Sequence, residues 1–287
     1  MRMNRAAVAA ALVFAACGGT RIGGTASPAE MALAMRMPTV PQATFTKTDS
    51  IDVSLDMGAM GSMDMPMTLA ATLNIAFSEG TADNADNVMG TATVESFRAV
   101  MEVPMVGTQE LDESAVSGEM QFSVGPTGKV KVMEPFTIKA AEAAQLFGSS
   151  QVVNDLFPGL PQRVVKPGDT WVDTVRVEDS SEMGQSSGEY VWNYTLQGDT
   201  TVAGVPLLHI TGEGTSEVSG SGKQSGFSVS QVMSGTLTGM FLWDPAVSLL
   251  HTGTTLVDLT GVMSVDAAGG QALSMVMSAR GHVVRMP

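Results

Sequence analysis

The sequence predicts a mainly β protein: strongly curved antiparallel sheet, a half barrel or barrel-like meander, with two short helices in the middle and a hint of duplication between its halves. Three observations predict it. Long stretches alternate apolar and polar residues with a period of two, the signature of strands with one buried face. Glycines recur inside the longest of these stretches, where they mark bends or bulges in a sheet. An alanine-rich segment with helical spacing separates the first set of strands from the second.

The chain opens "MRMNRAAVAAALVFAAC", two arginines followed by an apolar run from Ala6 to Ala16 and then Cys17. That charge order and length are those of a signal peptide, and the run is too short to cross a bilayer as a helix. Small residues before a cysteine resemble a bacterial lipobox, with Phe14 where leucine is usual. The resemblance implies that Cys17 is lipidated and that residues 1–16 are removed; Gly18 after it, in place of aspartate, implies sorting to the outer membrane. Cys17 is also the single cysteine of 287 residues, so neither an internal disulfide nor a cysteine metal cage is available.

Of 15 basic residues the leader takes Arg2 and Arg5, leaving 13 against 29 acidic, a formal balance of −16. Nucleic acid and anionic headgroups are poor partners for such a chain. The apolar share of 44% is enough for a sizeable core.

Residues 17–43 read as a lipidated tether. Within it "SPAE" offers Ser27 as N-cap, Pro28 at the first helical position and Glu30 as capping-box partner, which predicts a short helix from Pro28 to about Arg36. Residues 44–287 form the β domain, with halves at 44–136 and 168–287 joined by a helical segment at 137–167. Ile51, Val53, Leu55 and Met57 alternate with polar residues, and after "GAMGS" eight successive odd positions from Met63 to Phe77 are apolar. This is a hairpin with Met57 and Met63 at its strand ends and Met60 in its loop.

Strands follow at "GTATVESFRAVMEV", "GEMQFSV" and "KVKVM", the last two joined by the turn "GPTG". "TIKAAEAAQLFG" and "SSQVVNDLF" predict the two helices, the first capped by Gly148 and the second stopped by Pro158; Val152, Val153, Leu156 and Phe157 share one side. In the second half two runs of about 17 residues, roughly 55 Å if flat, demand bending. Gly235, Gly239, Gly253 and Gly261 lie inside them. "EGTADNADN" (79–87) and "SGSGKQSG" (219–226) read as connecting loops, the former lacking the ligand spacing of a calcium loop.

Three segments, "LPQRVVKPGDTW", "YTLQGDTTVAGVPLLHITGEG" and "GMFLWDPAVSLLHTGTT", resemble stretches that recur in uncharacterised bacterial lipoprotein families. Those families are similar in architecture to the lipoprotein-carrier half barrels. The resemblance spans about Leu160 to Val265 and implies a concave apolar face that holds acyl chains, with no catalytic residues.

The 22 methionines are the remaining chemical signal. Met63, Met65, Met67, Met233, Met263, Met275 and Met277 share the apolar parity of their strands, and thioethers are adaptable surfaces for varied apolar partners. They define an apolar-ligand face, with plain core packing as the competing account. Met57, Met60 and Met63 at the hairpin end could instead hold a soft ion, Cu(I) or Ag(I). Three histidines, His209, His251 and His282, do not converge by parity, which argues against a hydrolase. Tyr190, Trp192 and Tyr194 alternate along one strand as a packing ladder or, less simply, a carbohydrate platform.

The expectation is therefore a non-enzymatic envelope lipoprotein without a cofactor. Its membrane contact is the N-terminal lipid, and its ligand is an acyl chain or other apolar molecule. The alternatives are a structural or protein-interaction domain with an envelope protein as partner, and third, methionine-based metal binding.

Overall fold

The computed structural model describes residues 31–80, 85–103, 107–138, 149–181, 184–224, 227–266 and 272–287. Strands in the first half are β1 (Met31–Leu33), β2 (Gln42–Asp56), β3 (Ser62–Glu79), β4 (Val88–Val103), β5 (Gly107–Asp112), β6 (Val116–Ser117), β7 (Glu119–Val124), β8 (Val130–Glu134) and β9 (Thr137–Ile138). The α-helix Ser149–Asn154 follows. Then come β10 (Arg163–Val165), β11 (Thr170–Ser181), β12 (Gly184–Val202), β13 (Val205–Gln224), β14 (Phe227–Asp244), β15 (Leu249–Val265) and β16 (Ala272–Arg285).

Twelve strands form one antiparallel sheet in the order β11-β12-β13-β14-β15-β16-β2-β3-β4-β7-β8, with β5 added alongside β4. The sheet is not closed, and its curvature makes it a half barrel. The two halves of the chain form one surface because β16 pairs with β2, Ser274 opposite Asp56 through Arg285 opposite Phe45. Near the base of that seam the Arg285 guanidinium lies 2.6 Å from Asp244 Oδ2, both side chains largely withdrawn from solvent.

Alternation decides which face is concave. Phe45, Leu73, Ile75, Ile210 and Leu237 are almost wholly buried, and their neighbours in sequence are more exposed. Each such side chain contributes about 1.5–3 kcal/mol of burial. Gly235 and Gly261 act by close approach and not by bulging, whereas Gly198 in β12 sits at a register shift. A Cβ on Gly235 would stand 1.9 Å from the Asp258 carbonyl oxygen, and one on Gly261 2.0 Å from that of Val232. Only hydrogen fits where the coiled sheet brings adjacent backbones so near. The other register shifts are at Thr72/Leu73, Gln121/Phe122 and Leu242/Trp243.

Four expectations change. Residues 31–33 are a strand paired with β10, not part of a helix, and Leu33 and Met35 are buried at 2% exposure. The capping signal "SPAE" itself lies outside the described residues, and from Met31 onward the segment expected as tether packs into the domain. Thr137–Ile138 pairs with β6 and is extended where a helix was expected; the rest of that helix, through Gly148, lies outside the described residues. The segment expected to join the halves as helix also contains β10. Ser219–Gln224 is strand and not loop, because β12 and β14 pair with it from both sides.

The second helix forms as expected. Ser149–Asn154 continues into two tight turns, Leu156 N–H to Val153 O and Phe157 N–H to Asn154 O, both 3.1 Å. Val153, Leu156 and Phe157 are buried, and the Phe157 ring packs 5.9 Å from that of Phe122. The segment that follows crosses the concave side. Leu160 N–H donates to Thr127 O at 2.9 Å, docking it on the β7–β8 turn.

Candidate functional site

Three apolar clusters line the sheet: a compact one of Ala71, Phe97, Ala99 and Ala115, and two that flank the site. The larger fills the end closed by β1, β7, β8 and the helix, with Phe45, Phe122, Leu156, Trp192 and Trp243 among its members. The smaller, at the other end, is built on Leu55, Met233, Leu259 and Met275, with Met63, Met65, Met263 and Met277 packed against it. Six of the seven methionines of the expected apolar face thus meet in one cluster, drawn from both halves of the chain. The seventh, Met67, lines the cavity described next.

Residues of all three clusters line a partly open cavity of about 290 Å³. Ile51 and Met277 come from the seam strands and Met67 from β3, Val218, Leu237 and Leu259 from β13 to β15, and Tyr190, Trp192 and Tyr194 from β12. Phe157, Pro158 and Gly159 of the crossing segment form its lid-side wall. That segment is held by two buried hydrogen bonds at Gly159. Trp171 Nε1–H donates to its carbonyl at 3.0 Å, and its N–H donates to the Tyr194 hydroxyl at 3.3 Å. Burial pushes the Tyr194 phenol well above its ordinary value, so it stays neutral.

The aromatic ladder is a packed one. Trp192 and Tyr194 stack at 5.5 Å, Trp171 stacks on Tyr194 at 5.6 Å, and Phe241 meets both β12 rings edge-on. Trp192 and Tyr194 are buried, with no broad exposed platform for a sugar.

One pole of the cavity is charged. Lys47 and Asp49 sit at inward positions of β2 between Phe45 and Ile51, and Asp155 approaches from the turn after the helix. Lys47 Nζ is 3.0 Å from Asp49 Oδ1 and also contacts Asp155 Oδ2. Burial opposes charge on Lys47, but Asp155 and then Asp49 outweigh it and hold its pKa above the ordinary lysine value. Burial raises the Asp49 carboxyl, and Asp155 adds to the rise while Lys47 opposes it. Sequence reading passed over this group. The available signal was two charged residues on the apolar parity of an otherwise regular strand.

The remaining candidates do not line this cavity. Met57 begins the 3₁₀ turn Gly58–Met60 at the hairpin tip, Met63 is committed to the methionine cluster, and the Met60 side chain lies outside the described residues. His282 Nδ1 is 3.2 Å from Thr254 Oγ1 on the convex face. His209 Nε2 and His251 Nδ1 are buried without a partner among the described residues. Among those residues no three His, Cys, Asp or Glu side chains are grouped to hold a metal. Cys17, the expected lipidation site, and the leader lie outside the described residues.

No family model matches the sequence, and no curated protein matches it. Among solved structures, similarity is found to a domain from Vibrio parahaemolyticus described as an outer membrane lipoprotein-sorting protein, at 9% identity over 82% of this chain and 83% of that one, with a TM-score of 0.16. A mutant of the porin of Rh. blastica is similar at 10% identity over 85% of this chain and 99% of that one, with a TM-score of 0.18. Superpositions so slight carry no weight for fold or function.

Proposed function

We propose that this protein is a membrane-anchored lipoprotein of the bacterial envelope whose concave β face binds an acyl chain or another apolar molecule, without catalysing a reaction. The cavity of about 290 Å³ carries the reading, because it stands at the lower edge of the size range of ligand sites and its wall is mostly apolar. Its methionines support it, since flexible thioethers adapt to chains of differing shape. The leader and Cys17 supply the membrane anchor in this reading, two or more acyl chains being what stable anchoring takes.

The test is native mass spectrometry of the chain from Gly18 to Pro287, exported behind a conventional leader so that its own acyl chains are absent. The start is set upstream of Met31 because Leu33 and Met35 belong to the core. A co-purified lipid mass is expected. A bare polypeptide mass after mild purification, together with no uptake of an added apolar probe, would sink the reading.

A second reading, an interaction domain with an envelope protein as partner, has one specific feature in its favour. Val232, Val262 and Val276 are 61%, 46% and 53% exposed on three neighbouring strands of the convex face, Val232 directly opposite Val262. Apolar side chains grouped on a solvent face mark contact surfaces.

A further inference from the structure

The charged pole of the cavity specifies what kind of amphiphile fits. Lys47 is a buried ammonium placed between two carboxyl groups, so with all three side chains ionised the trio carries one negative charge in excess. Its ammonium is committed to Asp49 Oδ1 and Asp155 Oδ2. The other carboxylate oxygens, Asp49 Oδ2 and Asp155 Oδ1, accept no hydrogen bond among the described residues, and both residues line the cavity with 17% and 25% of their side-chain surface exposed. Room for Asp49 is kept by Gly281, where a Cβ would stand 3.0 Å from Asp49 Oδ1.

The second cation bordering the cavity does not change this balance. Arg280 follows the inward Ala279 on β16 and is exposed on the convex side. An anionic head entering from the apolar side would therefore meet excess negative charge and an ammonium already bound on two sides, at a desolvation cost nothing repays. A cationic head finds two unoccupied acceptor oxygens and neutralises the excess.

We infer that the cavity selects amphiphiles whose polar end is a primary amine, which docks against Asp49 and Asp155 while the chain lies along Met67, Leu259 and Met277. The inference rests on the ligand-binding reading above and adds the chemistry of the head group.

The experiment titrates the non-lipidated chain, Gly18 to Pro287, at pH 7 with dodecylamine, dodecanol and dodecanoate below their micelle concentrations, following tryptophan fluorescence and calorimetry. Dodecylamine is expected to bind about tenfold tighter than dodecanol, and dodecanoate weakest, as a charge-assisted contact would give. In Asp155→Asn the ratio of amine to alcohol affinity should fall towards one; if that variant does not fold, Asp49→Asn makes the same test. Dodecanoate binding as tightly as the amine, or an amine preference that persists in the variant, would overturn the inference. Dodecanol binding with no gain for the amine would overturn it while leaving the apolar-ligand reading intact, and no binding of any of the three would remove both.

Discussion

The Lys47 ammonium on β2 and the Asp155 carboxylate, 108 positions apart in the chain, form an ion pair on the concave face. Asp49 completes the trio, but the two carboxylates are not equivalent. Asp155 is the stronger of the two supports for the Lys47 charge, whereas burial raises the Asp49 pKa despite its contact with the same ammonium. Lys47→Met should therefore cost about 3 kcal/mol, because it leaves two carboxylates together in a low-dielectric site. Asp49→Asn should change stability by less than about 1 kcal/mol, since the amide keeps an acceptor and sheds a charge that the fold disfavours. Urea unfolding of both variants checks the order, and a larger loss in Asp49→Asn would show that Asp49 is the principal partner.

The same shifts fix a dependence on pH. Lys47 and Tyr194 both have folded pKa values above their ordinary values of 10.5 and 10.0. A raised folded pKa means the folded state holds its proton more tightly than the unfolded chain. The stability so contributed is complete below the ordinary value and is lost as pH rises towards the folded one. Unfolding midpoints should be flat between pH 8 and about 9.5 and fall above that, and the fall should be shallower in Tyr194→Phe. An equal fall in the variant would mean that the phenol is not protected by burial.

Hydrogen bonding at Gly159 sets the position of the crossing segment, and it can be broken in two ways. Trp171→Phe keeps most of the ring stack on Tyr194 but leaves the buried Gly159 carbonyl without its donor, a loss of about 1–3 kcal/mol. Gly159→Ala would put a methyl 2.6 Å from Asp173 Oδ2 and 2.9 Å from Tyr194 Cε2, so the segment must move or the variant must pay about 1–3 kcal/mol in strain. Thermal unfolding and near-ultraviolet circular dichroism report both. A Gly159→Ala variant with unchanged stability and an unchanged aromatic signal would place the segment elsewhere.

Period-two patterning made the strands legible, and parity alone was enough to put methionines from distant strands on one face. The hairpin β2–β3 follows from its turn and alternation, with Leu55 opposite Met63. Pairing of β16 with β2 carried no local signal, because any regular strand edge can accept another; only the assembled sheet shows that Met277 lies opposite Val53. The first strand was misread for a different reason. A good capping box in "SPAE" is worth about 1 kcal/mol, less than burying Leu33 and Met35 against the larger cluster. Asp155 could not be matched to Lys47 from sequence, since the helix that positions it is located by contacts along the whole concave face.

Packing and ligand space can be separated within the methionine face. Met233 is 3% exposed in the centre of the smaller cluster, so Met233→Ala should cost about 2–5 kcal/mol, while Met65→Leu at a half-buried position should cost under about 1.5. Met277 differs from both, because it belongs to the cluster and also lines the cavity. Met277→Trp has somewhere to put the added volume, and its cost should stay near 1 kcal/mol where overpacking a filled core would cost more. It should at the same time lower the affinity for an apolar probe by about tenfold, the ring occupying space that the chain would take. A Met277→Trp variant that folds normally and binds the probe unchanged would move the ligand to another face; one that fails to fold where Met65→Leu succeeds would show that the cavity is closed by packing in solution.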